Sequence, residues 1–323
     1  MTKAIRIYET GGPEVLRWED DDPGKPEAGQ ALVRHEAVGL NFIDVYHRTG
    51  LYPLPSLPAV PGLEGAGIVE EIGDGVTEVS VGDRVAYAAI PPGAYAETRR
   101  IPAHRLVKLP ESISTRQGAA MMLQGMTARY LLKGCYDVKK DDVILIHAAA
   151  GGVGSIVCQW AKHLGATVIG TAGSPEKAEI ARSNGCDHPI LYNDEDFAAK
   201  TREITGGKGV DVVYDSVGQA TFMKSLDCLR PFGLMVSFGQ ASGSVPPLDL
   251  SVLSAKGSLF LTRPTLMSYT AKREDLLVHA QDLFDVVLSG TVKIEVKQTY
   301  PLAETARAHR DLEARKTTGS TIL

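Results

Sequence analysis

The sequence predicts an α/β protein: a β-rich first third followed by a doubly wound parallel sheet. Three observations lead there. Short apolar runs broken by Gly and Pro fill roughly the first 120 residues. Strand and helix patterns alternate from about residue 125 onward. A glycine cluster, Ala148-Ala149-Ala150-Gly151-Gly152-Val153-Gly154, stands between a strand pattern and a helix pattern.

The elements follow in order. Residues 1–9 alternate as a strand does and lack the apolar core of a signal peptide. Residues 31–38, 66–72, 81–87 and 106–109 read as strands, separated by turns such as Gly73-Asp74-Gly75. That spacing suggests a small barrel or sandwich. Residues 143–148 form a buried-type strand. Val153, Ile156, Val157, Trp160, Ala161 and Leu164 then make one apolar stripe at helical spacing. Residues 143–161 carry no formal charge, but their glycines, His147, Ser155 and Gln159 fit strand, turn and helix better than a membrane span. A strand at 167–171 is followed by a helix with Ser174 as N-cap, Pro175 at N1 and Gly185 as stop. A helix at 194–205, a strand at 210–214, a helix at 219–229 and a strand at 234–238 complete the alternation. Beyond it come a long amphipathic helix at 273–288, a strand at 292–296 and a helix at 302–315.

The chain has 323 residues, with 34 basic and 39 acidic side chains and a net charge of −5. Such a chain has no bulk attraction for nucleic acid or anionic membrane, so an anionic ligand must be met by local donors. A soluble cytoplasmic protein is expected. The four cysteines form no CxxC pair and read as buried reduced thiols.

In its strand–turn–helix context the glycine cluster predicts a nucleotide. Missing side chains let a phosphate approach the backbone, and the helix N-terminus supplies free N–H groups and a favourable dipole. About 20 residues past the first glycine, a carboxylate would read the ribose of NAD. The sequence there is Thr171-Ala172-Gly173-Ser174, with Lys177 close behind. A hydroxyl and a cation suit a 2′-phosphate, which favours NADPH.

With these residues in view, the chain resembles the zinc-free, zeta-crystallin-like NADPH:quinone oxidoreductases of the medium-chain dehydrogenase/reductase superfamily. The likeness runs through Gly11–Leu16, Asn41-Phe42-Ile43-Asp44, Gly50-Leu51-Tyr52-Pro53 and Gly82-Asp83-Arg84-Val85. It continues through His147–Gly154, Val213–Gly218, Ser225–Leu229, Gly233–Gly239 and Thr262-Arg263-Pro264. The resemblance implies a GroES-like catalytic domain from residues 1–124 and 263–323 and a Rossmann domain from 125–262, with the active site in the cleft between them. It also implies a homodimer, with residues 257–261 as a candidate edge strand. Zinc relatives carry a Cys near the position of Asn41 and a His-Glu pair where this chain has Leu63-Glu64, so no metal is expected.

By the same resemblance, Ala150, Gly151, Gly152 and Val153 lie against the pyrophosphate. Gly173, Ser174, Lys177 and Tyr192 surround the adenosine and its 2′-phosphate. Ser216 and Val217 end the next sheet strand, where ligands sit in doubly wound folds, Phe238, Gly239, Gln240 and Ala241 pass the ribose and nicotinamide, and Asn41, Thr127, Arg263 and Arg315 complete the cofactor set. The catalytic candidates are Asn41, Tyr46, Tyr52 and Arg263. Asn41 and Arg263 would stabilise negative charge on the acceptor oxygen, and the tyrosines would stack on a flat ring or donate O–H. Asp44 reads as an organiser of local hydrogen bonds, Glu64 as a structural carboxylate, His35 and His47 as surface or structural, and His147 as shaping the glycine turn. The expected reaction is hydride transfer from NADPH to a quinone. Its rivals are an enone or alkenal double-bond reductase and, in another class, a non-catalytic NADPH- or RNA-binding protein.

Overall fold

An eleven-residue strand, Gln30–Leu40, organises the β-rich part of the molecule. Ala31 and Val33 alternate into the core over its first half, as one face of a half-covered sheet requires, and Ala37 to Leu40 are buried in succession. It pairs antiparallel with Glu64–Ile72, with Thr98–Pro102 over its first half, and with Ser320–Ile322 at its end. The sheet extends through Val296–Thr299 on one side and through Arg84–Ala88 and Val107–Lys108 on the other. Strands Thr2–Arg6 and Arg17–Asp21 form a separate hairpin. A core built on Ile5, Val33, Leu40, Val69, Val85 and Ile101 fills this part.

The structure, a computed structural model, describes all residues from Met1 to Leu323. It comprises two compact units. The first takes in Met1–Met126, Thr270–Leu288 and Ile294–Leu323, and the second Thr127–Tyr269 and Ser289–Lys293. Residues 263–269 and 289–293 thus group with the second unit, whereas the sequence set the seam at 262/263.

The second unit holds a six-stranded sheet in the order His188–Leu191, Thr167–Ala172, Val143–Ile146, Val210–Asp215, Leu229–Ser237, Phe260–Thr262. Every pairing is parallel. The strand order reverses between Val143–Ile146 and Val210–Asp215, which is where ligands sit in such sheets. Leu145, Ile169, Val213 and Met235 anchor the core on one face. The helices expected after the glycine cluster and after Ser174 are present as Gly152–His163 and Pro175–Ser183.

Several boundaries differ from expectation. The helix expected at 194–205 is Phe197–Ile204, because the Asp196 carboxylate accepts from Ala198 N and Ala199 N and sets its start. The strand expected at 292–296 begins only at Val296, where pairing with Ser320 starts. Lys293 is occupied instead by the Gln159 side chain, which bonds both its N–H and its carbonyl. The edge strand expected at 257–261 is Phe260–Thr262. The helix at 302–315 divides into a tight turn, Leu302–Glu304, and Thr305–Glu313. Strand His188–Leu191 and helix Phe42–Thr49 were not foreseen. Three cysteines are buried as expected, but Cys135 is partly exposed, 3.3 Å from the Tyr269 hydroxyl. No helix is long and apolar enough to cross a membrane.

Candidate active site

In the second unit the site begins at the glycine turn. Ala148 takes a left-handed φ of 54° and turns the chain off the strand. Gly151, extended, is the N-cap of helix Gly152–His163, and no side chain caps that end. The first-turn N–H groups and the helix dipole are therefore left for an anion. Gly154 has to be glycine, since a Cβ there would fall onto the Ala148 carbonyl and the Ala149 backbone. The helix consequently lies close against the strand end. Ala150 is buried behind the turn, and Gly152 and Val153 are half-buried at its rim.

The neighbouring strand ends at Ala172, and Ser174 follows as N-cap, its hydroxyl accepting from Lys177 N at 3.3 Å. Lys177 is half-buried, Tyr192 is 36% exposed, and Asn193 donates to the Gly173 carbonyl. No carboxylate occupies residues 171–175. A serine, a lysine and an uncapped helix end form a donor set that fits a phosphorylated dinucleotide.

Two further loops are fastened together beyond the strand ends. Ala241 N and Ser242 N donate to Ser216 O and Val217 O, and Phe238 N donates to Asp215 O. Gly239 is buried, while Ser216, Val217, Phe238 and Gln240 are half-buried and Ala241 is exposed. Arg263 is exposed and donates to Ser237 O at 2.8 Å. The anchor is Asp215. Its fully buried carboxylate accepts from Val217 N, Gly218 N, Thr221 Oγ1 and Ser225 Oγ.

His147 joins this anchor to the glycine turn. Its Nε2 lies 2.9 Å from Ser225 Oγ and its Nδ1 3.0 Å from Thr171 Oγ1. Ser225 gives its own proton to Asp215, so it accepts from His147 Nε2–H, and Nδ1 accepts from Thr171. Burial holds the imidazole below its ordinary pKa and keeps it neutral. Thr127, buried, is bonded to Tyr130.

In the first unit the candidates gather around Asn41, the N-cap of helix Phe42–Thr49. Its backbone N–H donates to Asp44 Oδ2 at 2.9 Å. Its side chain is committed elsewhere: Nδ2 donates to Glu64 Oε2 at 2.6 Å, and Oδ1 accepts from Gln124 Nε2 at 3.0 Å. Tyr46 of that helix is 7% exposed, and Tyr52, past the Gly50 C-cap, packs edge-on to it at 5.0 Å. Arg315 is exposed, with a left-handed φ of 57°.

Asp44 organises a buried chain that sequence reading only half foresaw. Arg48 donates to His309 Nδ1, so the proton of that imidazole sits on Nε2 and points to Tyr95. Tyr95 then gives its O–H to Asp44 Oδ2 at 2.8 Å. Burial and the Arg48 charge push His309 down to about 3. Burial raises Asp44 to about 7. His35, read as surface or structural, lies between Ala96 O and Tyr87 Oη, and burial lowers it to about 4. His47 is buried rather than on the surface, and burial lowers its pKa. Gln124, Tyr95, His309 and Ser320 carried no local sequence signal, because each is recruited from a distant segment. No three His, Cys, Asp or Glu side chains gather in a metal-holding group.

A six-stranded, doubly wound sheet with an uncapped glycine helix end defines a dinucleotide-binding unit, in a chain that also carries a β-rich unit. Comparison with known proteins narrows this. Residues 27–111 match the alcohol dehydrogenase GroES-like domain, and residues 152–275 match the zinc-binding dehydrogenase family. A quinone oxidoreductase of Pseudomonas aeruginosa is 52% identical, over 100% of this chain and 99% of its own. A 2-haloacrylate reductase of a Burkholderia species is 48% identical over 100% of this chain and 99% of its own. The crystal structure of Escherichia coli quinone oxidoreductase complexed with NADPH superposes with a TM-score of 0.98 at 48% identity, covering 99% of each chain. The chain belongs to the quinone oxidoreductases of the medium-chain dehydrogenase/reductase superfamily.

Proposed function

We propose that this chain is an NADPH:quinone oxidoreductase that works without zinc. One observation carries the cofactor choice: Gly173, Ser174 and Lys177 stand at the strand end beside the uncapped glycine turn, no carboxylate occupies residues 171–175, and Glu176 is an exposed first-turn residue bonded to Ser174. End-to-end similarity to quinone oxidoreductases supports the acceptor class. When bound, NADPH supplies the hydride.

The residues of this chain do the rest. Ala150, Gly151, Gly152 and Val153 receive the pyrophosphate through backbone N–H groups. Gly173, Ser174, Lys177 and Tyr192 select the 2′-phosphate, Lys177 by charge. Ser216, Val217, Phe238, Gly239, Gln240 and Ala241 line the ribose and nicotinamide, with Thr127, Arg263 and Arg315. Asn41 and Arg263 place donors where negative charge develops on the acceptor oxygen. Tyr46 and Tyr52 give a flat ring a wall to lie against.

NADPH oxidation followed by absorbance, with a small benzoquinone, a larger quinone and an enal, each repeated with NADH, tests this reading. Fast loss of NADPH with quinones and slow loss of NADH is the expected result. Binding of NADPH without turnover of any acceptor defeats the quinone assignment. A second reading, an enone-type double-bond reductase, is favoured by the similarity to a 2-haloacrylate reductase. Turnover of the enal without turnover of quinones selects it.

We also propose a cytoplasmic homodimer paired through the edge strand Phe260–Thr262. Phe260 is 60% and Leu261 37% exposed there, and Phe232 and Leu250 on the same unit are 64% and 72% exposed. An open apolar edge of this kind is usually covered. Leu261→Lys is expected to halve the mass measured by light scattering, and an unchanged mass rejects this edge.

A further inference from the structure

Glu64, Asn41, Gln124 and Ser320 form one buried hydrogen-bonded row, each side chain at most 7% exposed. Glu64 Oε1 accepts from Leu123 N at 2.8 Å, and Oε2 accepts from Asn41 Nδ2. Asn41 Oδ1 accepts from Gln124 Nε2, and Gln124 Oε1 accepts from Ser320 Oγ at 2.7 Å. Ser320 Oγ also lies 2.7 Å from the Ala120 carbonyl. In this direction every donor runs toward the Glu64 carboxylate. Gly39 holds the carboxylate in place by having no side chain, since a Cβ there would fall onto it.

The row has a second, equally complete direction. Let Glu64 take a proton from solvent onto Oε2. That O–H can donate only if Asn41 turns its Oδ1 to meet it. Asn41 Nδ2 then faces Gln124, which turns its own Oε1 to accept. Gln124 Nε2 donates to Ser320 Oγ, and Ser320 turns its proton to Ala120 O. The same heavy-atom positions serve both states, no buried group is orphaned, and the protonated state gains the Ala120 bond. Two carboxamides and one hydroxyl therefore invert together or not at all.

We propose that Glu64, Gln124 and Ser320 are positioning residues for Asn41, and that a proton on Glu64 inverts the Asn41 carboxamide. This rests on the role given to Asn41 above, as donor to the acceptor oxygen. With Glu64 ionised, Asn41 keeps a second Nδ2–H for that oxygen. With Glu64 protonated, Oδ1 stands in that place and repels it.

The surroundings bring Glu64 into the working range. Burial, with the nearby Asp44 of helix Phe42–Thr49 adding to it, raises its carboxyl to about 8. Tyr87 and Tyr95, both raised by burial, are the other titratable groups that feel it. Asn41 and the backbone N–H groups of Met122 and Leu123 are its hydrogen-bonding contacts, and Gln124 and Ser320 reach it only through Asn41.

The test is a pH titration of the Asn41 and Gln124 side-chain amide signals in ¹⁵N-labelled protein, between about pH 6 and about pH 10, the span in which a buried carboxyl ionises. Both signals are expected to move together with one midpoint. In Glu64→Gln, the Leu123 amide claims the carboxamide oxygen, so the NH₂ faces Asn41 and the row is locked inverted. That variant is expected to show the low-pH signals throughout. Its quinone reduction is expected to fall at least about tenfold, with the pH dependence gone. Wild-type signals that stay still or move independently overturn the proposal, as does a Glu64→Gln protein showing the high-pH signals. If Glu64→Gln fails to fold, the wild-type titration decides by itself. Asn41→Ala separates the two claims: full activity there removes Asn41 from catalysis, while the amide titration still judges the inversion.

Discussion

Asp215 in the second unit and Glu64 in the first are both carboxylates with no exposed surface, yet their surroundings treat them differently. Asp215 accepts four hydrogen bonds, two from backbone N–H and two from hydroxyls. Glu64 accepts from Leu123 N and from a side chain able to reverse, with the Met122 N–H also near, and its carboxyl is raised to about 8. Asp44 resembles Glu64: the Leu63 amide is nearby, but Oδ1 makes no hydrogen bond of ordinary geometry. A buried carboxylate with four fixed donors locks the backbone around it. One whose side-chain donor can reverse is poised between charge states. The nucleotide unit thus presents a rigid surface, and the Asn41 region a titratable one.

The sharpest break of this contrast is Asp215→Ala, which strands four donors around the loops at 216–218 and 238–243. A loss of about 4 kcal/mol or more is expected in denaturant unfolding, enough to threaten folding. Next comes the ligand side of the same rigid unit. Lys177→Glu is expected to weaken NADPH binding about a hundredfold, or about 2.7 kcal/mol, while NADH binding changes little. Equal losses in a fluorescence titration remove the 2′-phosphate role from Lys177.

The poised carboxylates give smaller, pH-dependent effects. For Glu64 the folded value of about 8 lies above the ordinary 4.5. Between those values the folded state holds the extra proton, so stability falls as pH rises through the window and stays low above it. Glu64→Gln escapes this and is expected to be the more stable protein at high pH, by about 2 kcal/mol, with the advantage gone at low pH. Asp44→Asn keeps an oxygen for Asn41 N–H and Tyr95 O–H. It is expected to change stability by less than about 1 kcal/mol at neutral pH and to flatten the loss between 3.8 and about 7. An Asp44→Asn loss as large as that of Asp215→Ala, in the same unfolding measurement, makes the two regions alike and ends the comparison.

What sequence determined by itself is local. The alternation of strand and helix, the apolar stripe from Val153 to Leu164, the glycine turn and the Ser174-capped helix start are legible within a few residues, because side-chain period and the absence of a Cβ act over that range. The strand at His188–Leu191 escaped notice because it is short and has Pro189 inside it, and it is a strand only because Ile169–Ala172 pair with it. The Asn41 region was legible only in part. Asn41, Asp44 and Glu64 were visible as polar residues, but their partners lie far along the chain. Glu64 is 23 residues from Asn41, Gln124 is 83 from Asn41, and Ser320 is 196 from Gln124. Tyr95 and His309, which fix Asp44, are 214 residues apart. No periodicity encodes such encounters. Sheet pairing brings Ser320–Ile322 beside Gln30–Leu40 and lays Gly39 against Glu64. The charge of a carboxyl then follows from how many donors that packing supplies, and tertiary structure alone sets that number.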